Sequence, residues 1–230
     1  AREVHLDSGV RSVRVLHKLV HPVTVETFRR EHWERKPLLC QRRDASFFEG
    51  LLTRRGIEEL LEAHEVRYGV DVDVTKVVNG KRQTLNRPPL ADGSAAVAPA
   101  GEVWEHVRKG CSLRMLCPQR LHDGLWWLLS ALEEALGSMV GCNVYLTPAG
   151  EQGFAPHFDD VEVFVLQVEG RKHWRVYEPF PGRRLPRYSS EDFVQSQLPE
   201  ACMSVELSPG DTLYLPRGYV HQAATPPPPP

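Results

Sequence analysis

Apolar positions along the chain recur at two different periods, and the change falls near Gly137. Leu121, Leu125, Leu128, Leu129, Leu132 and Leu136 follow three- and four-residue steps, the stripe of an amphipathic helix. This pattern predicts a helix from Asp123 to Gly137, with Asp123 as its cap and Gly137 as a left-handed stop. Trp126 and Trp127 flank the stripe and are expected to pack. Two shorter helices are predicted upstream. One runs from Thr24, a candidate cap, to Trp33, and the other from Gly56 to His64 with Ile57, Leu60 and Leu61 on one face. Leu38-Leu39-Cys40, after Pro37, reads as extended. Arg87 to Gly101 is rich in Pro, Ala and Gly and is expected to be a mobile loop.

Beyond Gly137 the pattern is that of strands. Segments 143–147, 161–168, 172–177, 203–207, 212–215 and 218–222 are short, rich in β-branched and aromatic residues, and separated by Gly or Pro turns. Glu169-Gly170-Arg171 is a tight connection, so the strands on either side of it are expected to form a hairpin. Many short strands without intervening helices predict an antiparallel barrel or sandwich. The fold class is thus mainly β with flanking helices, an α+β chain.

Composition narrows the picture. At 230 residues, 41% hydrophobic and 25% charged, the chain is ordinary globular material. No apolar run approaches the ~18 residues of a membrane span, and no charged-then-apolar leader is visible. A net charge of −2 gives no global reason to bind nucleic acid or an anionic membrane. Five cysteines without a Cys-x-x-Cys pair read as reduced thiols of an intracellular protein.

Candidate chemistry sits in the strand-rich half. In an extended chain, His157 and Asp159 point to the same side. His221 follows 64 residues later, after Pro216-Arg217-Gly218. A barrel can bring these strands together across its mouth. Two imidazoles and a carboxylate on one face of an ion describe the facial triad of non-haem Fe(II) oxygenases. An isolated His-x-Asp pair is weak, because ten histidines and thirty acids produce such pairs by chance. The ordered set is more specific: His-x-Asp, two apolar strands, the turn Ser208-Pro209-Gly210-Asp211, a strand, then His. Asp160 points away from Asp159 and is not counted as a ligand.

The segments 143–148, 152–160, 166–172 and 216–222 resemble the JmjC ribosomal oxygenases, and the likeness extends upstream through 33–39, 78–80 and 110–119. It spans residues 25–225, and the segment Gly110 to Gln119 resembles the nucleolar branch of that family. The resemblance implies a double-stranded β-helix (jelly-roll, cupin-like) core over 113–225, a flanking helical and mixed segment over 1–112, and a proline tail at 226–230. It implies Fe(II) held by His157, Asp159 and His221, with O2 and 2-oxoglutarate as co-substrates. Lys172 and Tyr145 match the residues that hold the distal carboxylate of 2-oxoglutarate. Asn143 shares its strand face with Tyr145 and is expected to contact substrate or co-substrate, and Arg114 is a weaker candidate for substrate contact, its alternative a structural salt bridge. The implied activity is hydroxylation of a histidine in a large-subunit ribosomal protein, with demethylation of histone H3 lysines as a second activity. The implied location is the nucleus and nucleolus.

The sequence departs from the family in two ways. Phe158 stands where close relatives carry Tyr, on the side away from the metal. The chain ends in five prolines where the family continues into closing strands, dimerisation helices and a winged-helix-like domain. An unpaired barrel edge is therefore expected, and dimerisation is not expected of these residues. Two other readings stay open: a non-catalytic nuclear module for chromatin or pre-ribosome assembly, and a metal cupin of another type.

Overall fold

A computed structural model describes residues 8–228. Helix α1 (Ser8–Val20) leads to a single helical turn, α2 (Val25–Thr27), whose cap is Thr24, its Oγ1 accepting from Thr27 N at 3.1 Å. The chain then widens into a π turn, Phe28–His32, closed by Trp33 N donating to Phe28 O at 2.9 Å. The predicted Thr24–Trp33 helix is thus helical throughout but changes pitch. After β1 (Leu38–Cys40) comes α3 (Arg54–Ala63), which starts earlier than the sequence predicts because Thr53 caps it.

Three elements follow that periodicity did not reveal. Strands β2 (Val72–Val78) and β3 (Lys81–Thr84) form a hairpin, and α4 (Ala100–Arg108) starts after Pro99. The hairpin turn is Asn79-Gly80, both at positive φ (52° and 77°), as a type I′ turn requires. The segment 87–101, expected to be mobile, is tied down at its far end. Ala96 and Ala98 are buried, and Tyr68 N and Ala98 N form backbone bonds to Ala96 O and Val66 O.

Strand β4 (Ser112–Leu116) precedes α5 (Asp123–Leu136). The cap of α5 is His122, whose Nδ1 accepts from Leu125 N at 3.2 Å, not Asp123, which instead occupies the acidic first turn. Gly137 ends the helix at φ 66°, as its position predicts. Leu125, Leu129 and Leu132 are buried. Trp126 and Trp127, expected to pack, instead sit on the opposite face, 50% and 52% exposed and edge-to-face with each other at 4.8 Å.

The remaining strands are β5 (Asn143–Leu146), β6 (Val163–Leu166), β7 (Lys172–Tyr177), β8 (Met203–Leu207), β9 (Thr212–Leu215) and β10 (Val220–Ala224). They build three antiparallel sheets, ordered β1-β9-β6, β10-β7-β8 and β3-β2-β4-β5. The last sheet takes two strands from before residue 112 and two from residue 112 onward. Strands β6 and β7 do not form the expected hairpin. Gly170 turns the chain at φ 64°, but β6 pairs with β9 and β7 pairs with β8 and β10. The tight turn is a crossover between sheets, the arrangement of a jelly roll.

Alternation along β9 separates two cores. Leu213 and Leu215 face inward with Val176, Leu207 and Trp174, between the two three-stranded sheets. Tyr214 faces outward into a second cluster with Phe28, Leu16 and Leu132, where α1 and α5 cover the sheet. The edge beyond β10 is covered in part. His157 bridges His221 through two backbone bonds, and residues 148–151 bond to Thr225 and Pro226. The first prolines of the tail therefore lie against Gly150, and Pro229 and Pro230 fall outside the described residues.

Candidate metal centre

The β-bridge between His157 and His221 is what assembles the site. His157 N donates to His221 O at 3.2 Å and His221 N to His157 O at 2.8 Å, so both side chains leave the same face of one antiparallel pair. Their rings lie 4.7 Å apart. Asp159, two residues on, reaches between them. Its oxygens are 3.8 Å from His157 Nε2 and 3.6 Å from His221 Nε2. The ligand atoms of the three residues all lie within 4.8 Å of one another.

Each imidazole is oriented by its own strand. His157 Nδ1 lies 2.8 Å from Ala155 O and His221 Nδ1 lies 3.1 Å from Tyr219 O. A proton on Nδ1 satisfies each carbonyl and leaves the Nε2 lone pair pointing at Asp159, the tautomer a metal ligand needs. Burial, aided by the neighbouring His157, lowers the His221 pKa, so its ring stays neutral. Two imidazole nitrogens and one carboxylate converge on one side, with no further protein ligand among the described residues. That donor set fits a divalent metal with open coordination positions.

A second polar group lies on the strand that pairs with β10. Lys172, at the start of β7, donates from Nζ to Thr147 Oγ1 at 2.9 Å. Burial without a carboxylate beside it pulls the ammonium down from its usual 10.5 to about 8. Thr147 Oγ1 also accepts from Ser112 Oγ at 3.1 Å, and Thr75 Oγ1 nearby is buried without a partner among the described residues. Gly153 permits this close packing, because a Cβ there would lie 2.3 Å from Ser112 Oγ. A partly buried cation held by a single hydroxyl can take a carboxylate.

Tyr145 and Asn143 on β5 share the strand parity of Thr147, and all three face the cleft. Tyr145 and Asn143 are both exposed, and their side chains are 3.5 Å apart. Burial of the Tyr145 hydroxyl raises its pKa, opposed by Arg114 and Asn143, so it acts as a neutral donor. Arg114 sits opposite Tyr145 in the sheet and bonds Asp73 through Nε (3.0 Å) and Nη2, so it makes the structural ion pair foreseen as its alternative. Its guanidinium also lies 5.6 Å from the Phe154 ring, which is 6.2 Å from His157. Phe158 is buried against Phe193, away from the cleft, and Asp160 accepts from Ser189 Oγ at 2.8 Å.

Sequence reasoning missed Thr147, Phe154 and Trp174. The signal was present for two of them. Thr147 shares its face with Tyr145, and Trp174 shares its face with Lys172.

Comparison with known proteins decides the family. The JmjC domain family matches residues 114–228, half of the chain. The chain belongs to the JmjC family. Among curated proteins it is 48% identical over 217 residues to "Ribosomal oxygenase 1" of Danio rerio, covering 94% of this chain and 39% of that protein. It is 45% identical to "Bifunctional lysine-specific demethylase and histidyl-hydroxylase NO66" of Aedes aegypti, covering 91% of this chain and 32% of that protein. The chain therefore spans 39% and 32% of the length of these relatives. The Escherichia coli ribosomal oxygenase YcfD, solved with cobalt and 2-oxoglutarate, shares the JmjC fold at TM-score 0.61 and 22% identity, over 90% of this chain and 49% of that one.

Proposed function

We propose that this chain is the core of an Fe(II)- and 2-oxoglutarate-dependent oxygenase that hydroxylates a protein histidine. One observation carries the reading. His157, Asp159 and His221 form a facial set, and Lys172 leaves the same face of β7 as Val176, the residue paired with His221; Lys172 is a cation with no carboxylate partner among the described residues. Such a pair of sites is complementary to a keto-dicarboxylate bound to the metal at one end and to an ammonium at the other.

Each residue then has a task. His157, Asp159 and His221 hold the iron, and the Ala155 and Tyr219 carbonyls fix the two rings. Lys172, oriented by Thr147, pairs with the distal carboxylate, and the Tyr145 hydroxyl adds a neutral donor. Asn143 and Arg114 lie toward the opening, where a substrate side chain enters. When bound, iron with dioxygen and 2-oxoglutarate supplies the oxidant that inserts one oxygen into a C–H bond, releasing succinate and carbon dioxide. The protein's part is to keep the metal's free face toward the cleft and to exclude water from the buried end.

The substrate we propose is a large-subunit ribosomal protein, in the nucleus or nucleolus. The Danio rerio relative's name supports the ribosomal part of this reading, and the Aedes aegypti relative's name supports histidine as the residue hydroxylated. The mosquito relative's name also couples histidyl hydroxylation to lysine demethylation, so demethylation of histone H3 is the second reading. In this reading residues 1–112 frame the barrel and 113–225 carry the chemistry. Mass spectrometry of ribosomal-protein and histone peptides after incubation tests it. One added oxygen on histidine supports the first reading, loss of a methylene from methyl-lysine the second. No change in either, with no succinate formed, favours a non-catalytic binding module.

A further inference from the structure

A closed ring of polar contacts joins distant parts of the chain. Glu34 N donates to Tyr214 Oη at 2.9 Å, and Tyr214 Oη donates to Glu162 Oε2. Glu162 Oε1 accepts from Arg217 N at 3.4 Å, and Arg217 Nε lies 3.5 Å from the same oxygen, an ion-pair contact rather than a hydrogen bond. Arg217 Nη2 returns to Glu34 Oε1. Glu34 holds φ 55°, a conformation that residues other than glycine rarely adopt. The ring is tied to two arms of the metal set. Glu162 follows Asp159 by three residues, and Gly218, next to Arg217, donates from N to Asp159 O at 2.9 Å. Tyr219 offers the carbonyl that faces His221 Nδ1 at 3.1 Å, and its Oη donates to Arg35 O at 3.0 Å. The segment has no slack, because a Cβ on Gly218 would lie 2.8 Å from Pro186 Cδ and 2.9 Å from Arg183 O. A shift of Arg217 therefore moves the supports of Asp159 and His221 together.

We propose that Arg217 is a positioning residue: gripped by Glu34 and Glu162, it fixes the span between Asp159 and His221 and thereby sets metal affinity. This rests on the reading of His157, Asp159 and His221 as metal ligands given above. The chemistry of the side chain suits the task. A guanidinium carries its donors in a rigid planar fork, so one arginine engages carboxylates from two parts of the chain at fixed angles, whereas lysine is a flexible point charge. The span matters because three donors must meet one ion on one face. Groups that orient the ligands from outside the coordination sphere typically change metal affinity by about 10- to 100-fold when removed. A ring that only fastened residues 33–37 to β9 would affect stability and leave the metal site as it is.

The test is titration of cobalt(II) into metal-free wild type, Arg217→Met, Arg217→Lys, Glu34→Gln and Ile57→Ala, read by the visible absorption of the bound ion and by Tm. Ile57 is buried in a core that contains none of the three ligands and serves as a control for lost stability. Arg217→Met is expected to raise the cobalt Kd about 10- to 100-fold and to change the absorption bands. Glu34→Gln should raise it about two- to fivefold, as for one half-exposed ion pair. Arg217→Lys, which keeps the charge, should fall between Arg217→Met and wild type. Ile57→Ala should lower Tm and leave Kd and absorption unchanged. Wild-type Kd and absorption in Arg217→Met would overturn the proposal, however far Tm falls. Equal weakening in Ile57→Ala would overturn it too, since affinity would then follow stability alone. Should Arg217→Met not fold, wild-type Kd and absorption in both Glu34→Gln and Arg217→Lys would overturn it. Failure of wild type itself to bind cobalt would instead overturn the reading of the metal ligands, and this inference with it.

Discussion

Lys172→Met separates what the ammonium costs the fold from what it does for a ligand. In the folded protein Lys172 loses its proton near pH 8, against an ordinary value of 10.5. A drop of that size corresponds to about 3 kcal/mol of destabilisation at pH 7. Part is offset by solvent, since the residue is only partly buried. The bond to Thr147 returns about 1 kcal/mol. Methionine fills similar volume without charge, so the ligand-free variant should be more stable than wild type at pH 7 by about 1–2 kcal/mol. The folded form gives up the proton more readily than the unfolded chain. The penalty is therefore full below pH 8, falls away between pH 8 and 10.5, and is gone above that. Wild-type stability relative to the variant should rise across that window. Denaturant melts of the metal-free proteins at pH 7 and pH 10 measure it. Affinity should move the other way, with 2-oxoglutarate binding at pH 7 weakened about 10- to 150-fold by loss of a charge-assisted bond. A variant less stable than wild type at pH 7, with a gap that ignores pH, would refute the reasoning.

Three further outcomes follow from the packing and the site. Asp159→Ala removes one of three converging donors and should weaken cobalt(II) binding by about 100-fold or more, read by metal titration. Phe28→Ala should cost about 3–5 kcal/mol in denaturant melts, because its fully buried ring contacts Trp33, Phe164 and Tyr214. Gly210→Ala should cost about 1–3 kcal/mol and lower Tm by several degrees, since φ is +94° and a Cβ would lie 2.0 Å from Asp44 O.

Strand β7 was legible with its bounds because Lys172–Tyr177 alternates and ends at Glu178-Pro179. The leucine stripe of α5 was legible because one face is buried against two clusters. Misreadings came where a local signal has two tertiary outcomes. Glu169-Gly170-Arg171 turns tightly whether the flanking strands pair or diverge, and pairing with β9 and with β8 and β10 made them diverge. Asp123 and His122 can both cap a helix, and the backbone placed His122 at the extended position. Trp126 and Trp127 look like core from composition, yet helical phase puts them outside. The Asn79-Gly80 hairpin had its turn signal in plain sight, but β3 has four exposed residues and no apolar alternation. The convergence of His157, Asp159 and His221 agrees with the strand parity and order read in the sequence. The Ser112–Thr147 contact beside Lys172 was not legible, because β4 and β5 must pair before Ser112 meets Thr147.

The central claim is that the His157-Asp159-His221 cleft couples 2-oxoglutarate turnover to oxidation of a peptide. Its most direct test is succinate release by the protein supplied with Fe(II), 2-oxoglutarate, oxygen and a histidine-containing ribosomal-protein peptide, beside Asp159→Ala. The account predicts succinate formed together with one added oxygen per peptide histidine in wild type, and neither in the variant. Equal succinate from wild type and Asp159→Ala, or an unmodified peptide alongside full turnover, would contradict it.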